Sequence, residues 1–123
     1  MTEPIRDIGQ LIEVPSVRQT LARGIIHAQI SQLPMVSWVG GYGSFWVEKR
    51  RPRDIDLVIF VQPSFSWGKA EEIFLVNPLE VVLKLPVDLY TINNTAVLSD
   101  EFLAWRTLFS TGIDLYGFRP GWL

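Results

Sequence analysis

Asp54 and Asp56 stand two apart at the opening of the apolar run Ile55 to Val61, which has the continuous, β-branched character of a buried central strand. In a pleated strand alternate side chains share a face, so both carboxylates point one way while Ile55 points the other. Like charges held that close repel unless a cation or hydrogen-bond donors offset them. A hard divalent ion with oxygen ligands, Mg²⁺ or Mn²⁺, is the usual answer. Asp88, early in the β-prone stretch Val87 to Ile92, reaches the same face if the two strands are neighbours, and three carboxylates could hold two ions. The competing reading has Asp54 flanking a strand and Asp56 paired with Arg51 or Arg53. It is the weaker one, because aspartate is depleted from strands and needs a reason to be there.

Upstream lies Gly40-Gly-Tyr-Gly-Ser44, a turn in which glycines let backbone amides approach a phosphate and the serine hydroxyl adds a donor. Alone it is a common turn, without the Gly-Lys-Ser/Thr ending of a P-loop or the spaced glycines of a dinucleotide fingerprint. Its position before the acidic strand gives it force. Between turn and strand run Lys49, Arg50, Arg51 and Arg53, which would steer a triphosphate or a nucleic-acid strand toward the acids or simply form a solvated loop. His27 is the only histidine and stands far from these residues in sequence, and cysteine is absent. Thiolate nucleophiles, disulfides and cysteine-zinc sites are thereby excluded, and Ser-His-Asp triads are unsupported.

The elements that must position these residues follow from punctuation and periodicity. The 123 residues suit one domain spanning 1–123. Pro4 and Pro15 mark an irregular lead-in, and Ser16 caps a helix over 16–32 on the apolar spacing of Val17, Leu21, Ile25 and Ala28. Met35 to Val39 reads as a strand stopped by Gly40-Gly41, and the run from Asp54 to Val61 as a central strand. A short helix over Lys69 to Leu75 and a second over Leu79 to Leu85, restarted at Asn77-Pro78, come next. Val87 to Ile92 is a third strand, Ser99 to Phe109 a last helix, and 112–123 has no determined structure. Helices between strands predict an α/β (α+β) domain, a small mixed β-sheet with flanking helices.

Eleven basic residues against thirteen acidic ones leave a net charge of −2, which gives no global attraction for nucleic acid. No apolar run approaches a membrane span, so a cytoplasmic protein with no membrane partner is expected. Five Trp and seven Phe are many for this length and hint at an exposed aromatic patch for a partner.

An apolar strand, Gly-Ser, nine residues, then Asp-x-Asp opening an apolar strand and one further strand Asp: this order resembles the signature of the DNA polymerase β-like nucleotidyltransferase superfamily. At this size the chain is similar to its minimal, stand-alone, antitoxin-like members, over a core of about 35–92. The resemblance implies that Gly43 and Ser44, with Arg53 nearby, bind the nucleotide phosphates. It implies that Asp54 and Asp56 bind Mg²⁺, and that Asp88 completes the metal and catalytic set by helping to activate the attacking hydroxyl. The implied reaction moves an NMP group from ATP or another NTP to a hydroxyl on protein, RNA or a small molecule. The alternative is a catalytically weak or inactive nucleotidyltransferase-fold module that docks on a toxin or other helical protein, or on a second copy of itself. One departure stands out: many minimal members carry an arginine soon after Gly-Ser, where this chain has Phe45-Trp46.

Overall fold

In the computed structural model, residues 14–47, 52–92 and 106–121 are described. Helix α1 (Pro15–Ile30) begins with proline at its first turn, where the missing N–H is no loss and the fixed φ suits the helix. Val14 rather than Ser16 is its N-cap. Its residues Ala22, Ile26 and Ile30 are buried, a spacing of four that lays one stripe on the sheet. Strand β1 (Val36–Tyr42) follows, then a 3-10 turn, Ser44–Trp46, and strand β2 (Ile55–Val61).

Gly40 and Gly41 lie inside β1, not in a turn after it, which corrects the expectation that they stop the strand. A Cβ on Gly40 would come within 2.5 Å of the Trp38 ring, and one on Gly41 within 2.6 Å of Trp46. The two glycines make room for indoles on opposite faces of the strand.

Helix α2 (Lys69–Leu83) runs unbroken through Pro78, where two helices were expected. Proline removes the N–H that would serve the carbonyl four residues back, here that of Phe74. Gln29 of α1 supplies the missing donor: its Nε2 gives a hydrogen bond to the Phe74 carbonyl at 2.9 Å. Lys84 then ends the helix in the left-handed region at φ 54°. Glu80 accepts a hydrogen bond from the Val87 N–H at 3.0 Å, setting the start of strand β3 (Val87–Ile92).

Strand β4 (Ile113–Gly117) lies in the tail that sequence left undetermined. Of the expected helix over 99–109, residues 106–110 are helical. Its first part, like the lead-in to 13 and the basic stretch 48–51, falls outside the described residues.

The sheet order is β3-β2-β1-β4. Strand β1 pairs antiparallel with β2 and β4, and β2 pairs in parallel with β3, with α2 as the crossover. β2 is therefore central and the sheet mixed, as expected. Both helices pack on one face over Val39, Ile55, Leu57, Ile59 and Leu115, while Trp38, Val58, Ile92 and Phe109 form a smaller apolar cluster on the other.

Candidate functional site

The register of the sheet builds a row across three strands. Tyr42 on β1 is the partner of Asp56 on β2, and Asp56 is the partner of Asp88 on β3. Partnered residues point to the same side, so all three stand on the face away from the helices. Asp54 sits in the bend just before β2, one residue short of the expected strand. A carboxylate oxygen from each of Asp54, Asp56 and Asp88 lies within 4.8 Å of the other two. Asp54 and Asp56 are half-buried and Asp88 is exposed, so the cluster opens to solvent at the β3 edge. Three hard oxygen donors at this spacing fit a divalent cation such as Mg²⁺ or Mn²⁺.

The charges act on one another. Burial, then the repulsion of Asp54 and Asp88, pushes the Asp56 carboxyl up to about 6. Burial and the same three carboxylates push the Tyr42 phenol up to about 12. The shift on Asp56 runs opposite to what an arginine partner would produce, which argues against the simple ion pair with Arg53. Arg53 is exposed, directly before the acids.

Gly43 joins the turn to the acids. Its φ is +81°, a region that favours glycine, and a Cβ there would overlap the Asp56 carboxylate. The Asp56 side chain thus rests on the backbone of Gly43, and Ser44 opens the 3-10 turn beside it. Phe45 and Trp46 are buried, with their rings edge to face at 4.7 Å. Gln19 of α1 donates to the Phe45 carbonyl at 3.1 Å, and the Trp46 indole N–H donates to the Asp56 carbonyl at 3.2 Å. Arg18 and Arg23 lie over the two rings, at 5.5 and 5.9 Å. Phe45 and Trp46 thus form an aromatic anchor that ties the turn to α1 and to β2.

Sequence reasoning missed Tyr42 as a member of the row. No local pattern gives it: the pairing of Tyr42 with Asp56 comes from the strand register.

Solved structures share this fold. The chain is similar to the Shewanella oneidensis complex of a tri-AMPylated HEPN toxin with its MNT antitoxin, at 19% identity and a TM-score of 0.55 over 81% of this chain and 73% of that one. It is also similar to a toxin-antitoxin structure with AMP-PNP, at 17% identity and a TM-score of 0.56 over 79% and 74%. A third likeness is to an MntA–HepT toxin-antitoxin structure, at 17% identity and a TM-score of 0.53 over 80% and 73%. No family model matches the chain, and no curated protein matches it. The fold is that of a minimal nucleotidyltransferase domain. Among the described residues, no helix is long and apolar enough to cross a membrane.

Proposed function

We propose that the chain is a Mg²⁺- or Mn²⁺-dependent nucleotidyltransferase, working as one domain in the cytoplasm, that moves an NMP group from an NTP to a hydroxyl acceptor. The observation that carries this reading is the cluster of three carboxylates within 4.8 Å, held against a positive-φ glycine that leads into a serine turn. A plain structural role would not gather three acids at the open end of a sheet with no ion pair to them among the described residues. Asp54, Asp56 and Asp88 would hold the metal, which when bound supplies charge neutralisation at the phosphates and acidifies the acceptor hydroxyl. Gly43 and Ser44 would receive the phosphate tail with backbone and hydroxyl donors, and Arg53 would add positive charge at the mouth. Asp88, the most exposed of the acids, would face the incoming hydroxyl. A protein acceptor is favoured among protein, RNA and small molecules, since a structural relative is bound to an AMPylated toxin.

A specific observation favours a second reading, the docking module. Helix α2 exposes Ile73, Phe74, Val81 and Val82, at 52%, 37%, 65% and 40%, an apolar stripe suited to a helical partner such as a toxin or to a second copy of the chain. The two readings separate when the purified chain is incubated with labelled ATP, CTP, GTP or UTP and Mg²⁺, alone and with the product of a neighbouring gene. Label transfer supports the enzyme. A stable complex with no transfer under any condition supports the module.

A further inference from the structure

Near the start of α1, Arg18 is a cation without a counter-charge. The residue is half-buried, and its Nε is buried with no hydrogen-bond partner. Among the described residues the ion pair is the one between Arg119 and Asp114, so no carboxylate there neutralises Arg18. Its own helix gives no help: Val14, Pro15, Leu21 and Ala22, the neighbours one turn away, carry no acid. What Arg18 does have is the ring of Phe45, whose centroid lies 5.5 Å from its Cζ. A ring face attracts the charge but supplies no oxygen to the Nε–H. Buried donors are nearly always paired, so this orphan calls for a partner that the chain does not itself provide.

We propose that Arg18 binds the terminal phosphate of a nucleoside triphosphate held at the acid centre. The inference rests on the nucleotidyltransferase reading, and it follows from a continuous line of contacts. The Asp56 carboxylate rests on Gly43. Gly43 leads through Ser44 to Phe45, which is fully buried, and Phe45 carries Arg18 on its ring. Gln19, the next residue of α1, donates to the Phe45 carbonyl at 3.1 Å, which fixes the start of the helix against the turn. A nucleotide with its α-phosphate at Asp54 and Asp56 and the next phosphate at Gly43 and Ser44 has its last phosphate beyond the turn, on the α1 side. A guanidinium presents Nε–H and one Nη–H as a planar fork that matches two phosphate oxygens, and the orphaned Nε is half of that fork. A triphosphate reaches it and a diphosphate falls short. Arg23 provides the contrast: it is exposed, lies over Trp46 at 5.9 Å, and has no buried atom left unpaired.

The test titrates ATP and ADP by calorimetry into the full chain at saturating Mg²⁺, without acceptor. The wild-type chain should bind ATP about ten-fold or more tightly than ADP, the scale expected for one charge-assisted pair. Arg18→Met should erase that advantage by weakening ATP and leaving ADP unchanged. Arg18→Lys, which keeps the charge but not the fork, should lose part of it. Arg23→Met removes the same charge from the same helix and should leave the ratio of the two affinities as it is. Should Arg18→Met fail to fold by circular dichroism, Arg18→Gln takes its place, and the wild-type ratio needs no variant at all. Equal binding of ATP and ADP by the wild-type chain would overturn the assignment of Arg18 while leaving the acid centre and the turn standing. So would an advantage that survives Arg18→Met, an equal loss of both ligands in that variant, or the same loss of the ratio in Arg23→Met. Failure of both ATP and ADP to bind the wild-type chain would overturn the nucleotide reading together with the assignment.

Discussion

Along β2, neighbouring residues face opposite conditions. Ile55, Leu57 and Ile59 are fully buried and Val61 nearly so, all against the two helices. Asp54 and Asp56 turn to the other side, where only Val58 of the strand is buried and Phe60 is half-covered. The helix side is redundant: many apolar contacts share the load, and each contributes in proportion to the area it removes from water. The acid side is the reverse, with three groups that repel one another and gain nothing from proximity until a cation arrives. On the proposed function, the fold's stability and its chemistry are thus divided between two faces of one strand, a single residue apart.

The sharpest way to break this comparison is Asp56→Asn. If the acid face serves catalysis, nucleotidyl transfer should fall by about a thousand-fold or more, the scale of losing charge stabilisation needed only in the transition state. The metal-free melting temperature should hold or rise, because a neutral amide relieves the repulsion from Asp54 and Asp88. A marked drop in that temperature would mean the acids are structural and the division of labour is wrong.

One residue along, Leu57→Ala should do the opposite. Truncating a fully buried leucine costs about 2–5 kcal/mol, readable by urea denaturation. The affinity of the remaining folded chain for Mg²⁺ should be nearly unchanged. A loss under about 1 kcal/mol would show that the helix face is looser than its burial implies.

The smallest effect is on pH dependence. Asp56 is raised from 3.8 to about 6, so between those values the native chain holds a proton that the unfolded chain has released. Metal-free stability should therefore fall as pH rises from about 4 to about 6, then level off once the group is ionised in both states. Urea unfolding at steps from pH 4.5 to 7.5 checks this. Asp56→Asn should flatten that part of the profile, and saturating Mg²⁺ should reverse its sign, since the metal favours the ionised form.

How far the sequence could be read depended on the range over which each residue's role is decided. Ile55 to Val61 and Val87 to Ile92 declared themselves, because a dense apolar run bounded by proline or charge has few other uses. The gathering of Asp54, Asp56 and Asp88 was also legible, since a period of two and neighbouring strands suffice to bring them together. Gly40 and Gly41 misled, because glycines read locally as a turn while here they serve indole rings that the sequence does not place beside them. Pro78 misled for a similar reason: its cost is met by Gln29, forty-five residues away from the carbonyl it serves. The role of Tyr42 in the acid row needed the strand register, which no local pattern supplies.

Strand β4 carries a consequence for the order in which the chain can assemble. Every residue of the acid row lies between Tyr42 and Asp88, on strands whose connections are short or helical, so the row can form from consecutive pieces of chain. The lock on the other flank closes a far longer loop. The Trp38 indole N–H donates to Asp114 at 2.8 Å across 76 residues, and Arg119 pairs with the same carboxylate at 3.1 Å. Contacts between distant residues must meet the entropy of loop closure before they return anything, so the edge strand is expected to dock late in folding. During synthesis the carboxylates can come together, and begin to repel, while the residues that cover the far edge of the sheet are still unmade.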